Sequence, residues 1–273
     1  MSLRVYYSEA QSVSGNESFS PSAGKPAQLV SQWKDRWADR LEFVSPEPVG
    51  LEEFSLVHDR AFVEAILSCQ KPNGFGNCSK AIADSLGWTT GSLVSAAFHA
   101  LETGGAACSP TSGFHHSGHR YAFGFCTFNG LMVAAALAHR RGATRVGILD
   151  CDYHYGDGTD NIIEILKIDY VDHLSSGILT CSSQEFLDSL PGRLEKMKVD
   201  LLIYQAGADA HIDDPLGGWM TTQQMRERDR AVFEHCRKAG VPVVWNLAGG
   251  YQKDIQLVLD LHHMTMEECL RFF

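Results

Sequence analysis

Short apolar segments of strand length alternate along this chain with longer segments of helical periodicity. The strand pattern occurs at residues 4–7, 146–149, 200–204 and 241–245. The 3.6-residue spacing of helices occurs at 26–41, 59–68, 80–101, 128–141, 160–167, 184–196, 222–239 and after Tyr251. Such alternation predicts an α/β fold with a mainly parallel β-sheet and helices on both faces. Because no repeat or linker interrupts it, we expect residues 1–273 to form a single domain.

Polar clusters directly follow three of the predicted strands. Residues 150–158 follow the second strand, residues 207–211 the third and residues 248–251 the fourth. Open parallel sheets bind ligands beyond the carboxyl ends of their strands. The pattern therefore predicts a functional site at that edge of the sheet.

The cluster after the second strand contains three carboxylates, Asp150, Asp152 and Asp157, together with His154. Burying a carboxylate is unfavourable unless it is paired or binds a cation. If the strand continues, its alternation puts Asp150, Asp152 and His154 on one side of the backbone. A metal site is the favoured interpretation. The alternative, carboxylates capping a helix that begins near Thr159, explains only Asp157 or Thr159.

Three further clusters are ambiguous when each is taken alone. His115 and His116 lie in a glycine-bearing loop and could simply be solvated. Asp209 fits an Asx-turn, and Gly250 with Tyr251 fits a tight turn with a packed tyrosine. Their joint occurrence in one chain favours one shared site.

Composition narrows the class of protein. The 273 residues are 44% hydrophobic, enough for a full core, and no stretch approaches the roughly 20 apolar residues that span a bilayer. Without a basic-then-apolar amino terminus, a cytoplasmic location is expected. The 8 cysteines form no CxxC motif and are expected to be reduced thiols. A net charge of -10 argues against direct nucleic acid binding.

The ordered clusters resemble the histone deacetylase family of zinc-dependent amidohydrolases, which has the arginase-deacetylase fold. The motifs that carry the resemblance are residues 113–116, 124–129, 150–158, 207–211 with 214–218, and 249–251. The resemblance covers most of the chain and implies one catalytic domain with its active site at the carboxyl ends of the strands.

The resemblance implies a metal site made by Asp152, His154 and Asp209. Two carboxylates and one imidazole leave positions open for water and substrate, as in catalytic zinc sites. The expected cofactor is one Zn²⁺ ion. A structural K⁺ ion, bound by backbone oxygens around residues 150–154, is a further expectation from the family.

The same resemblance implies the catalytic groups. His115 would be oriented by Asp150 and His116 by Asp157, since an acid on the far ring nitrogen fixes the tautomer. His116 is assigned as the general base and then the general acid, although the two histidines could exchange roles. Tyr251 would donate a hydrogen bond to the developing oxyanion.

The implied substrate is an acylated primary amine, such as acetyl-lysine or an acetylpolyamine, from which a small acyl group is removed. Phe125 and Gly124 resemble the lining of the family's substrate channel, although Phe125 could also be an ordinary core residue. Gly250 is expected to let the backbone approach the metal and to place Tyr251. The family resemblance is also compatible with an oligomer.

Two departures from the family pattern concern the pocket. Tyr155 occupies a position where many relatives have a second histidine. The span from Thr159 to Gly207 is short and lacks the usual His-then-Pro-Gly-Thr-Gly segment. Residues 170–175 are the candidate replacement, which predicts a pocket that is more open or is completed by a neighbouring subunit.

Two other functions stay open. A binuclear manganese ureohydrolase on the same fold would need further carboxylates near Gly156 and His211, where the sequence has none. A non-catalytic module that binds acylated ligands would be expected to lose a ligand, a histidine or the tyrosine.

Overall fold

The protein is built around a seven-stranded sheet in which all neighbouring strands are parallel. The structure, a computed structural model, describes residues 2–273. The strands are β1 (Leu3–Tyr6), β2 (Leu41–Val44), β3 (Ala106–Ser109), β4 (Val146–Asp150), β5 (Val171–Ser175), β6 (Leu201–Gly207) and β7 (Val243–Ala248). Their order across the sheet is β2-β1-β3-β7-β6-β4-β5.

Helices cover both faces of this sheet. They are α1 (Lys25–Arg36), α2 (Leu51–Phe54), α3 (Arg60–Leu67), α4 (Lys80–Thr103), α5 (Gly130–Arg140), α6 (Asp157–Leu166), α7 (Ser183–Lys196), α8 (Thr222–Ala239) and α9 (Ile255–Phe272). Short 3-10 turns occupy Glu9–Gln11 and Ser176–Ile178. Among residues 2–273, no helix combines the length and apolar character that crossing a bilayer requires.

Two hydrophobic cores lie on opposite faces because alternate strand residues point in opposite directions. Leu149 and Leu202 belong to the core under α1, α7, α8 and α9. Ile148 and Ile203, their neighbours along the strands, belong to the core under α2 to α6. Both faces of the central strands are therefore buried, and the predicted fold class is confirmed.

The sequence patterns missed or misplaced several elements. The helix predicted at 26–41 ends at Arg36, and Leu41 begins strand β2 instead. Strand β3, Ala-Ala-Cys-Ser, was not predicted because it has no β-branched or aromatic residue. The segment suggested as a replacement wall forms strand β5 at the end of the sheet.

The eight cysteines form no disulfide among the described residues, and their reduced state remains a prediction. Five of them are buried: Cys108, Cys126, Cys151, Cys236 and Cys269.

We expect Phe233→Ala to lower the free energy of unfolding by about 3–5 kcal/mol, because it removes a large side chain from the first core. Phe233 is fully buried, and its ring packs edge-on against Tyr204 and Trp245. Urea denaturation followed by circular dichroism measures the change. Ile165→Ala on the exposed face of α6 is the control and should shift stability by less than about 0.5 kcal/mol. Equal effects of the two variants would contradict this account of the core.

Candidate active site

The site lies where three adjacent strands end. Strands β4, β6 and β7 end at Asp150, Gly207 and Ala248, and they are neighbours in the sheet. The segments that follow them therefore leave the same edge side by side, as predicted.

The predicted strand alternation of Asp150, Asp152 and His154 is wrong. Strand β4 ends at Asp150, so strand alternation does not align Asp152 and His154 with it. These two residues lie in the loop between β4 and α6, and backbone hydrogen bonds shape that loop. The Asp152 amide donates to Asp150 Oδ1 (3.1 Å), and the His154 amide donates to Asp152 Oδ1 (2.9 Å).

The structure brings Asp152, His154 and Asp209 together, although Asp209 comes from the loop after β6. One donor atom from each residue lies within 4.8 Å of the others. His154 Nδ1 is 3.1 Å from Asp152 Oδ1 and 2.9 Å from Asp209 Oδ2. Both carboxylates are buried, whereas His154 is partly exposed. The triad is thus open on the histidine side.

The electrostatics of this triad favour a bound cation. Burial and the charge of Asp152 raise the pKa of Asp209 to about 7. Hydrogen bonds to Asp152 and Asp209 raise the pKa of His154 to about 10. A protonated His154 thus supplies, between the two carboxylates, the positive charge that a bound cation would otherwise supply. Two carboxylate oxygens and an imidazole nitrogen are ligands that zinc accepts, so the residues fit that ion.

Among residues 2–273, no second group of acidic, histidine or cysteine side chains is spaced for a metal ion. The positions where a binuclear site would need carboxylates are Gly156 and His211. Gly156 packs against Asp150, and His211 Nε2 pairs with Thr222 Oγ1 at 2.9 Å. The predicted potassium ion remains a prediction; in that segment the Asp152 carbonyl accepts a hydrogen bond from Ser176 Oγ (3.0 Å).

His115 is held by the buried Asp150. Its Nδ1 lies 2.7 Å from Asp150 Oδ2, while Asp150 Oδ1 accepts a hydrogen bond from Gln205 Nε2 (2.9 Å). Burial opposes the charged imidazole, but the negative charges of Asp150 and Asp152 raise the pKa of His115 to about 9. A divalent cation on Asp152 would oppose this protonation because like charges repel.

His116 lies beside His115, with ring centroids 4.0 Å apart, but in a different environment. Its Nδ1 is 2.6 Å from Oδ1 of Asp157, whose side chain is partly exposed at the start of α6. Burial and the neighbouring His115 lower the pKa of His116, against the effect of Asp157. His116 is therefore the neutral imidazole of the pair near pH 7 and can accept a proton.

The loop after β7 places Tyr251 beside the carboxylates. Its amide donates to Asp214 Oδ2 at 2.7 Å. Burial and the charges of Asp152 and Asp209 raise the pKa of its hydroxyl well above the ordinary value, so the hydroxyl stays protonated. It is available as a hydrogen-bond donor.

Two glycines shape this loop in different ways. Gly249 (φ +50°) makes the close approach, because a Cβ there would lie 2.3 Å from the carboxyl carbon of Asp209. Gly250, expected from the sequence to make that approach, has φ +90° and packs against Val258 instead. It still sets the backbone direction just before Tyr251.

A cavity of about 10 Å³, room for about one water, lies between His115, Asp152 and Tyr251. Gly124 and Phe125, the residues expected in the substrate channel, also line it. A Cβ on Gly124 would lie 2.6 Å from the His116 ring, and the Phe125 ring is 5.8 Å from that of Tyr251.

Sequence reasoning missed residues that support the site. Gln205 was missed, and Asp214 was noted only as part of a motif. Lys25, fully buried, donates from Nζ to the Gly249 carbonyl at 2.5 Å. Burial lowers the pKa of Lys25 to about 8, although Asp209 and Asp152 oppose the shift. No sequence signal marked Lys25, since a lysine after a turn is ordinarily exposed.

The residue that departs from the family pattern, Tyr155, has a partner of its own. Its hydroxyl donates to Asp160, whose other oxygen lies 2.6 Å from His173 Nδ1 on β5. Tyr155 thus connects the loop to the last strand of the sheet and leaves the metal triad intact.

The fold and the site define a class of parallel α/β proteins with paired His–Asp groups beside two aspartates and a histidine that are spaced to hold a metal ion. The sequence model of the histone deacetylase domain matches residues 23–186 and 182–265. The chain therefore belongs to the histone deacetylase family, and the prediction from its motifs is confirmed.

The chain is also similar to individual proteins. An uncharacterized protein of Picosynechococcus sp. is 32% identical over 59% of this chain and 61% of its own length. Acetylpolyamine amidohydrolase 2 of Pseudomonas aeruginosa is 26% identical over 53% of this chain and 50% of its own length. The chain thus spans less than two thirds of these relatives. The crystal structure of the HDA15 HD domain superimposes with a TM-score of 0.81 at 20% identity, covering 99% of this chain and 88% of that one.

We expect Gly249→Ala to weaken binding of a divalent metal ion, because the added methyl group displaces the Asp209 carboxylate. Gly240→Ala is a matched control: Gly240 also has a positive φ (+68°), but nothing lies within 4 Å of its added Cβ. Both variants should lose about 1–2 kcal/mol of stability to backbone strain. Only Gly249→Ala should lose metal affinity in a chelator competition assay. Equal affinities in the two variants would show that the close approach is unimportant.

Proposed function

We propose that the protein is a zinc-dependent deacylase that removes an acetyl or other small acyl group from an acylated primary amine. The observation that carries the proposal is the convergence of four separate segments at one edge of the sheet, where His115, Asp152 and Tyr251 line a small cavity. They supply the Asp152–His154–Asp209 triad, the two His–Asp pairs and Tyr251. Membership of the deacetylase family supports the same reaction. We also propose that residues 1–273 act as one catalytic domain, because every one of these groups lies on or after a strand of a single sheet.

A zinc ion bound at the triad would polarise the amide carbonyl and lower the pKa of water beside it. His116, neutral near pH 7, takes a proton from the attacking water at Nε2, and Asp157 stabilises the resulting imidazolium through Nδ1. The same proton then goes to the leaving amine. His116 thus serves as base and then as acid.

Tyr251 and His115 act as hydrogen-bond donors to the two reacting oxygens. The Tyr251 hydroxyl, held protonated, donates a hydrogen bond to the carbonyl oxygen as negative charge develops there. His115, held by Asp150, donates from Nε2 to the oxygen of the attacking water and orients it. The partly closed cavity between them limits water around the reacting carbon.

The mouth of the site supports a substrate with an apolar stem. Phe19 stacks on Tyr251 with ring centroids 5.9 Å apart, and Phe123 packs edge-on against His116. Both rings, and that of Tyr153 beside His154, are exposed. Exposed aromatic rings around a cavity favour a ligand that passes an alkyl chain between them, as acetyl-lysine and acetylpolyamines do. The acetylpolyamine amidohydrolase among the relatives points to the same class.

The direct test is a product assay of zinc-loaded protein against acetyl-lysine peptides, acetylpolyamines and longer acyl-lysines. We expect release of the free amine and acid from at least one class.

Tyr251→Phe should lower turnover about 100- to 1,000-fold because it removes one oxyanion donor. Tyr170→Phe should keep full activity, because Tyr170 directly precedes β5 at the amino edge of the sheet, opposite the edge that carries the site. Unchanged activity of Tyr251→Phe contradicts the oxyanion role. Urea release with two manganese ions per chain, or ligand binding by the zinc protein without turnover, contradicts the deacylase itself.

Metal content should separate ligands from catalytic groups. We expect Asp209→Ala to lose zinc, because it removes a buried triad carboxylate, whereas His116→Ala should retain zinc and lose most turnover. Zinc measured by mass spectrometry after gel filtration gives the ratio per chain. Retention of zinc by Asp209→Ala would remove that residue from the site.

A further inference from the structure

A fully buried ion pair lies on the helix that packs behind the site. The buried face of α8 consists of Met225, Arg228, Asp229, Val232, Phe233 and Cys236, at helical spacing. Arg228 Nε donates to Asp229 Oδ1 at 2.8 Å, and both side chains are essentially inaccessible to solvent. A charged pair on the apolar face of a helix is unusual and calls for a specific role.

The contacts of Arg228 point to the loops that carry the metal triad. Its Nη1 lies 2.9 Å from the Gly207 carbonyl and 3.3 Å from the Cys151 carbonyl. Cys151 directly precedes Asp152, and Gly207 lies two residues before Asp209. One guanidinium nitrogen therefore bridges the backbones that lead into the two buried triad carboxylates.

The two bridged segments also touch each other closely. A Cβ on Gly207 would lie 2.4 Å from Cα of Asp152 and 2.5 Å from the Cys151 carbonyl oxygen. The carbonyls of Gly207 and Cys151 are thus close enough for one donor on α8 to reach both. Arg228 Nη1 is that donor.

Stability alone does not account for the arginine. Buried ion pairs contribute little compared with apolar packing of the same volume. Asp229 has other partners, because Tyr204 Oη and Thr265 Oγ1 both donate to it. Arg228 Nη2 has no partner among the described residues, a cost to folding. The side chain is thus placed for its two carbonyl contacts rather than to satisfy all its own donors.

We propose that Arg228 is a positioning residue of the metal site, which fixes the spacing of Asp152 and Asp209 by holding the Cys151 and Gly207 carbonyls from behind. The proposal rests on the zinc site of the proposed function. Asp229 neutralises the guanidinium charge locally. The effect of Arg228 on the metal site is therefore geometric, because Arg228 fixes where the two ligand loops leave the sheet.

Arg228→Lys tests the proposal, because lysine keeps the charge but lacks the arginine's planar fork of donors. Zinc affinity is measured by chelator competition, and stability by thermal unfolding of the metal-free protein. We expect Arg228→Lys to bind zinc about 10-fold more weakly, and Arg228→Met up to about 100-fold, as for other partners that orient metal ligands. Thr265→Val is the matched control: it removes a bond to Asp229 but leaves both carbonyl contacts, so its zinc affinity should stay within about 2-fold of the original.

The outcomes are distinct. Weaker zinc binding by the Arg228 variants, with the Thr265→Val affinity preserved at similar thermal stability, supports the positioning role. Equal affinities in Arg228→Lys and the original protein overturn it, as does an equal loss in Thr265→Val. Should Arg228→Met not fold, Arg228→Lys alone decides. If the original protein binds no zinc, the proposed function fails, and this inference fails with it for that separate reason.

Discussion

The structure depends on the enforced proximity of two buried carboxylates, Asp152 and Asp209. Burial disfavours the charged form of Asp209 and the charge of Asp152 repels it, and both effects raise the pKa of Asp209. His154 lies between them and would compensate the charge when protonated, as a metal ion would when bound. The surrounding structure keeps the pair together through Gly249, which leaves room for the Asp209 carboxylate, and Gly207, which lets the two loops touch.

The parallel sheet is what makes this proximity available. Strands β4, β6 and β7 are far apart in sequence but adjacent in space, so three loops that start at one edge can share a cavity. Regular pairing also puts Asp150, Gln205 and Asn246 opposite one another across these strands. The Gln205 side chain uses that register to hold Asp150, and through it His115. The support of the site is thus built into the pairing of the strands.

Two adjacent histidines acquire different properties from one motif because their surroundings differ. His115 is deeply buried beside Asp150 and Asp152, whereas His116 pairs with the partly exposed Asp157 and has His115 as a neighbour. The first environment favours the charged ring and the second the neutral ring. The asymmetry leaves His116 as the ring of the pair that can accept a proton, which is the property that the general base proposed for this site requires.

The sequence by itself determined the fold class, because strand-helix alternation is a local pattern, and it determined the family through the order of its motifs. Even so, local patterns misled where side chains were small, as in β3, or where a strand ended early, as β4 does at Asp150. Arg228 could have been noticed as a charge at an apolar position of a helical pattern, but its contact with Gly207 could not. Lys25 and Gln205 gave no signal. Only the tertiary structure decided their partners, since a buried polar group is placed by the donors and acceptors that distant segments bring to it.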